Sequence, residues 1–304
     1  MQKIFLIALL LVSATALAQQ DALFNQYMFN KLVINPAYAG SRKVMTFDLV
    51  DRYQWAGIQG APRTITVSGH TPLRNPHVGL GFYMYSDIVG PITSQGFMGT
   101  YAYRIRLEKG ILSFGLQLGL NHTDINWDKI FVEVPDIRLQ GQGKTKFLPD
   151  ASFGLYYLTS RFYGGLSSTQ LLQNEYGTII KDGVSTYSKL SRHFYAMTGF
   201  ALPVSDQVVF RPSALLKYVM GAPAQIDLNA SFLFNDVFWI GAGYRSKETV
   251  IFLTEFNIGQ NMRIGYSYDI GLNNLTRNNM GSHEIHIGYD INLLKGRMFV
   301  PRYF

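Results

Sequence analysis

Between residues 112 and 121 the chain alternates strictly. Leu112, Phe114, Leu116, Leu118 and Leu120 fall on one register, and Ser113, Gly115, Gln117, Gly119 and Asn121 on the other. A period of two sends successive side chains to opposite faces of a sheet. The rule returns far downstream. Ile264, Tyr266, Tyr268 and Ile270 oppose Arg263, Gly265, Ser267 and Asp269, and Ile285, Ile287, Tyr289 and Ile291 oppose Glu284, His286, Gly288, Asp290 and Asn292. Along the whole chain it predicts fourteen strands, over 43–53, 63–71, 77–86, 93–107, 111–124, 150–159, 161–171, 191–202, 206–220, 224–234, 236–246, 248–259, 261–271 and 282–292.

The connections sort into two sets. Pro72–Pro76, Glu108–Gly110, Ser160, Pro203–Ser205, Asn235 and Gln260 are short. The alternate set holds the long ones, Gln54–Pro62, Asp87–Ile92, Ile125–Pro149, Leu172–Ser191 and Leu272–Gly281, with two tight members near Gly221–Pro223 and Lys247. Short turns at one end and longer loops at the other are the plan of a transmembrane antiparallel up-and-down β-barrel of the outer-membrane type. A soluble β-sandwich also alternates, but its apolar faces must meet each other. Here large apolar residues hold one face along nearly the whole chain, as a lipid-facing surface requires.

The other face then lines the lumen. By alternation it carries six acids (Asp48, Asp227, Glu255, Asp269, Glu284, Asp290) and seven bases (Arg52, Arg104, Arg106, Arg211, Lys217, Arg245, Arg263). An Arg or Lys turned to lipid at mid-depth costs about 2–4 kcal/mol, so the inward assignment is forced. Near balance of the two signs favours interior ion pairs that fill a closed barrel over a selective pore, which shows a ring of one sign.

Composition agrees. The 304 residues are 47% hydrophobic and 15% charged, with 19 Tyr, 21 Phe and 29 Gly. Mean hydropathy of +0.05 is too low for a helical membrane protein. There is no cysteine, which removes thiolate catalysis and cysteine-based zinc sites. The formal charge of +7 is scattered rather than clustered, so no nucleic-acid patch is expected.

Lys3, the apolar run Ile4–Val12 and Ala16-Leu17-Ala18 before Gln19 form a cleavable export signal over 1–18. No later stretch reaches the ~18 apolar residues of a spanning helix, so a membrane-resident chain must cross with strands. One barrel domain is expected over 43–292, preceded by a periplasmic extension or plug over 19–42 and followed by a tail over 293–304.

Catalytic chemistry is poorly supplied. His283 and His286 are three apart on a strand and point to opposite faces, so they do not chelate one metal. His122 near Asp124 reads as a solvated strand-end histidine, and Asp124 and Asp128 beside Trp127 lack a calcium-loop spacing. No G-x-S-x-G, H-E-x-x-H or P-loop occurs. The expectation is a protein without enzymatic activity, cofactor or metal.

The most distinctive stretch precedes the first strand. Asn25-Gln26-Tyr27-Met28-Phe29-Asn30 leads through Asn35-Pro36-Ala37-Tyr38-Ala39-Gly40 into a strand that ends Arg52-Tyr53-Gln54-Trp55. Tyr27, Met28, Phe29, Leu32 and Ile34 make an apolar-aromatic strip, Asn35-Pro36 sets a turn, and Gly40 permits a tight bend. Two readings stand open for it: a segment folded back to close the periplasmic mouth, or a docking surface for a periplasmic partner. Trp55 alone reads as an interface anchor.

These motifs, together with Arg52–Thr64, His70, Pro72, Leu73 and the C-terminal Pro301-Arg302-Tyr303-Phe304, resemble the PorP/SprF family of Bacteroidetes, outer-membrane proteins of the type IX secretion and gliding machinery. The resemblance spans the mature chain and is sharpest over 25–73; Tyr53 departs from the small polar residue expected there. It implies an outer-membrane barrel tied to periplasmic secretion-ring subunits, including a ring lipoprotein, and to an OmpA-like peptidoglycan-binding protein. It implies a role in secreting or surface-anchoring adhesins that carry C-terminal sorting domains. On this reading Tyr27, Phe29, Asn35, Pro36, Tyr38 and Gly40 bind a periplasmic partner, while Arg52, Gln54, Trp55, Gly57, Gly60 and Pro62 form an outer-mouth motif. The alternative function is a transport channel for small or hydrophobic solutes.

Overall fold

The computed structural model describes residues 24–126, 129, 147–181, 184–246, 249–272 and 279–292. The expected leader and tail, Trp127, Asp128 and most of the 125–149 connection lie outside the described residues.

The wall begins with β1 (Met45–Tyr53), β2 (Arg63–Pro72), β3 (Val78–Val89), β4 (Ile92–Leu107), β5 (Gly110–Ile125), β6 (Phe147–Leu158) and β7 (Phe162–Thr169). A separate hairpin, β8 (Glu175–Lys181) and β9 (Val184–Lys189), interrupts it. The wall resumes with β10 (His193–Phe200), β11 (Leu202–Ser205), β12 (Val208–Val219), β13 (Gln225–Phe234), β14 (Phe238–Arg245), β15 (Thr249–Ile258), β16 (Met262–Gly271) and β17 (Ser282–Ile291). Each wall strand pairs antiparallel with its neighbours, and β1 pairs with β17, which closes the sheet. Because β10 and β11 pair in succession with β12, they are two halves of one wall strand. The result is a fourteen-stranded closed antiparallel barrel with no edge left to aggregate. Among the described residues no helix is long and apolar enough to cross a membrane; the crossing is made by strands.

The fourteen expected strands coincide with the wall. Three connections differ from the expectation, and Pro203–Ser205 is one of them: it lies in β11, and the chain turns on Asp206-Gln207. Asp87–Ile92 was expected to be a long loop, yet β3 and β4 pair out to Val89 and Ile92 and turn on Gly90-Pro91 alone. Gly90 takes φ +57°, which a tight turn needs and a side chain resists. Leu172–Ser191 was expected to be loop and contains the β8–β9 hairpin.

Leu116, Leu118 and Leu120 point outward, as do Tyr266, Ile285 and Tyr289. Of the thirteen charges assigned to the lumen, twelve are buried inside; Arg106, on the same register, lies at the rim beside the 108–109 turn and is exposed. The turn end of the barrel carries the short connections, the start of β1 and the finish of β17. The loop end carries the long ones.

Residues 24–40 do not project from either end. They run inside the lumen, and all but Val33 are buried. Two single-turn 3-10 helices, Lys31–Val33 and Pro36–Tyr38, fold the segment into a plug.

Candidate functional site

The lumen has two unlike walls, and the plug meets each by different chemistry. Strands β12 to β17 and β1 supply charge. Glu284 on β17 accepts the backbone N–H groups of Asn25 and Gln26, each at 2.8 Å. Arg52 on β1 donates to Glu284 at 3.2 Å and to Asp269 at 2.7 Å. The Asn25 side chain donates to the same Asp269 carboxylate at 2.7 Å. Arg245 reaches the Phe24 carbonyl at 3.1 Å while paired to Asp227, which also takes Lys217 Nζ at 2.9 Å. Arg211 donates to the Met28 carbonyl at 2.8 Å and stacks over Phe29 and Trp239, with its guanidinium carbon 5.3 and 5.2 Å from the ring centres. Burying so many charges is tolerable only because each of these carboxylates faces a cation at bonding distance.

Deeper toward the turn end, His286 lies between Asp48 at 3.0 Å and Glu255 at 2.9 Å, and Asp48 also holds Arg263 at 2.9 Å. Phe29 stacks on the His286 ring at 6.0 Å. His283 faces outward and meets Tyr266 Oη at 2.7 Å, so the two histidines lie on opposite faces. Among the described residues no group of three metal-ligating side chains has the geometry of a metal site.

The opposite wall, β3 to β7, meets the plug chiefly by close backbone approach, with Arg104 on β4 as a charged contact. A Cβ added to Gly115 would lie 2.1 Å from Ala37 N, one on Gly154 2.1 Å from Asn35 Oδ1, and one on Gly79 2.2 Å from Ala39 O. Glycine in a strand permits another backbone to approach this closely. The six-residue motif follows from that contact. Asn35 caps the second 3-10 turn by accepting Ala37 N–H, and its amide nitrogen donates to the carbonyls of Leu155 and Leu166 at 2.9 and 3.3 Å. Pro36 opens that turn, where its missing N–H costs nothing. Ala37 and Ala39 are fully buried where a longer side chain has no room. Tyr38 packs edge-on against His70 and Tyr156. Gly40 takes φ +68°, donates to His70 Nδ1 at 3.2 Å and has its carbonyl bound by Arg104. Lys31 is fully buried, with Nζ 2.8 Å from the Met28 carbonyl and over the rings of Tyr38 and Tyr163. Burial pushes its ammonium pKa well below the ordinary lysine value.

Tyr27, Phe29, Asn35, Pro36, Tyr38 and Gly40 are thus brought together, but facing the barrel wall. The expected outer-mouth motif is divided. Arg52 is buried in the charged wall and holds the plug. Gln54, Trp55, Gly57, Gly60 and Pro62 shape the loop beyond β1. Gln54 N bonds Pro62 O at 2.9 Å, Gly60 O takes Gly90 N at 3.0 Å, and Ala56 exchanges two backbone bonds with Met280 and Gly281. Trp55, Gly57 and Gly60 all have positive φ, so the loop is a tie between two neighbouring connections. Glu284 and Asp269 anchor the plug, and Gly79 and Gly154 admit its backbone, beyond the residues to which the motifs point. Glycines on a lumen-facing register were the available signal.

Residues 16–289 match the model of the family described as type IX secretion system membrane protein PorP/SprF. No curated protein matches the chain. Among solved structures, a deletion mutant of the monoaromatic hydrocarbon channel TodX superposes with a TM-score of 0.50 at 12% identity, covering 90% of this chain and 95% of that one. A FadL homologue of Pseudomonas aeruginosa gives 0.47 at 11% identity, covering 92% and 96%. The first likeness concerns the fold alone.

Proposed function

Because the chain belongs to the PorP/SprF family of type IX secretion system membrane proteins, and is a non-enzymatic outer-membrane barrel, we propose that it works as a plugged scaffold of that system. Its turn end faces the periplasm and docks secretion-ring subunits and an OmpA-like peptidoglycan-binding protein. Its loop end meets a secreted adhesin through the adhesin's C-terminal sorting domain. The export signal over 1–18 brings it to the membrane.

One observation supports a scaffold over a solute channel: the lumen is filled by the chain's own residues 24–40, bonded to strands on both walls. With Tyr27, Phe29 and Tyr38 turned into the wall, the plug fixes the shape of the barrel, and docking falls to the turn-end rim unless the plug leaves. A native pull-down of the tagged protein from solubilised outer membrane, with partners identified by mass spectrometry, tests this. Ring subunits or a large adhesin in the eluate are expected. A lone barrel after gentle crosslinking, together with steady conductance in a planar bilayer, would replace the scaffold with a transport channel.

A further inference from the structure

The turn end carries charge in two sectors of opposite sign. Lys43 leads into β1, Arg74 sits in the β2–β3 turn, Arg106 and Lys109 flank the β4–β5 turn, and Arg161 sits in the β6–β7 turn. All five are exposed, and one acid, Glu108, stands among them. The β11–β12, β13–β14 and β15–β16 turns complete the rim and carry Asp206, Asp236 and no base. None of the five basic side chains pairs with an acid among the described residues. The sequence beyond Asn292 holds Lys295, Arg297 and Arg302 and no acidic side chain, so nothing in it offsets the basic sector.

Tight turns hold these charges in place. Leu107 and Gly110 pair across Glu108-Lys109. Leu73 N–H donates to the Val78 carbonyl at 2.9 Å, and Asn75 Oδ1 accepts His77 N–H at 3.0 Å. Thr159 Oγ1 accepts the N–H groups of Arg161 and Phe162. Successive turns are two strands apart, about 10 Å along the rim at ~4.8 Å per strand. That exceeds the ~8 Å screening length at physiological salt, so each turn acts alone and a small anion reaches only one. A partner that uses the whole sector must present several carboxylates at that spacing, as the face of an acidic protein does. Lipid headgroups need another arrangement. Lipid surrounds a barrel on every side, so bases serving it would ring the rim, whereas these occupy the β1–β7 half. Arg106 moreover shares the lumen-facing register of Arg104, away from lipid.

We infer that the β1–β7 half of the turn-end rim docks an acidic protein surface, and that the half bearing Asp206 and Asp236 stays outside the contact. The inference rests on the proposed function for the periplasmic placement of the turn end, and adds the sector of the rim and the charge of the partner. The plug ends beside the same sector, with Ala39 against Gly79 and Gly40 held by Arg104. A partner seated there lies next to the end of the plug that continues into β1.

The test uses full-length protein in detergent micelles, immobilised for biolayer interferometry. One probe is a helical alanine/glutamine peptide with glutamate at every seventh position, which spaces its carboxylates by about 10.5 Å; the other replaces each glutamate with glutamine. The glutamate peptide should bind at least about tenfold more tightly, and added salt should erase the difference. Arg74→Glu with Lys109→Glu and Arg161→Glu should abolish the preference. These positions lie in turns outside the strand ladders, and heat-modifiable gel migration reports an intact barrel. Asp206→Asn with Asp236→Asn should leave the preference unchanged; a matching loss there overturns the assignment to one sector. Equal binding of the two peptides overturns the inference. A preference that survives the triple reversal overturns it too, and phosphatidylglycerol that co-purifies with wild type but not with that variant would give the sector to lipid. In the native pull-down the triple variant should lose periplasmic partners that the wild type holds. Partners kept at wild-type yield overturn the dock and spare the scaffold. Peptide preference with no secretion protein in the wild-type pull-down keeps the acidic dock and discards the scaffold.

Discussion

Gly115→Ala adds one carbon to the β3–β7 wall and should unseat the plug. The new Cβ would stand 2.1 Å from Ala37 N, 2.3 Å from Pro36 C and 2.5 Å from Ala37 Cα. All three are backbone atoms, so no side chain can rotate away. Ordinary contact begins near 3.4 Å, so the plug backbone must retreat by about 1.3 Å. That displacement stretches the Asn35 bonds to Leu155 and Leu166, now 2.9 and 3.3 Å, past useful length. Overpacking costs about 1–3 kcal/mol, and two lost hydrogen bonds add about 1 kcal/mol each. The plug is therefore destabilised by ~3–5 kcal/mol, while the β4–β5–β6 ladder keeps every backbone bond. The assay is limited trypsin digestion of the folded protein, read at Lys31 and Arg42, with heat-modifiable gel migration reporting the barrel. Wild type should resist at Lys31 and be silent in a planar bilayer; Gly115→Ala should be cut there and conduct. Gly99→Ala is the control, because its Cβ meets nothing nearer than 3.9 Å. A Gly115→Ala barrel that migrates as folded, resists at Lys31 and stays silent would refute the reasoning.

Glu284→Gln should lower barrel stability by about 1.5–3 kcal/mol in urea unfolding, since it removes a charge facing Arg52 and one amide acceptor of the plug. Asp51→Asn, which breaks the exposed Arg63–Asp51 pair at 2.7 Å, should cost under about 1 kcal/mol; equal effects would show that burial does not matter here. Lys31→Met should raise the unfolding temperature at pH 7. The folded pKa of Lys31 is depressed by burial, so unfolding takes up a proton between that pKa and the ordinary value of 10.5. Wild-type stability then rises with pH across that window, and its deficit against methionine narrows; a constant gap from neutral to alkaline pH would remove desolvation as the cause.

The wall was legible because lipid and lumen enforce opposite chemistries on alternate residues. Leu112 to Leu120 fix their strand without help from any partner, and the cost of an arginine in lipid placed twelve lumen charges correctly. Turns were less legible: the gain of pairing out to Val89 is spread over two neighbours and leaves no local mark, so Gly90-Pro91 was read as part of a loop. The plug was recognisable as a distinct segment, but its partners were not. Glu284 meets Asn25 only after closure of the barrel brings sequence-distant strands together. Arg52 shows the limit most clearly. Alternation put it inside with Asp48, the motif around Trp55 grouped it with the loop end, and only the geometry shows it one residue from the end of β1 and bonded to Glu284 and Asp269. Gly115 was visible on the polar face of β5, though nothing local distinguished a glycine that leaves empty space from one that admits another backbone.

The plug's two ends are tied at very different ranges. Gly40 meets His70, 30 residues away, whereas Asn25 meets Glu284, 259 residues away. Loop-closure entropy lets the first contact form as soon as β1 and β2 pair, and the second must wait for β17. The seal therefore doubles as a certificate of assembly: an unfinished barrel holds its N-terminal segment by one end only, and the loose end is withdrawn from chaperones and proteases when the last strand closes the ring.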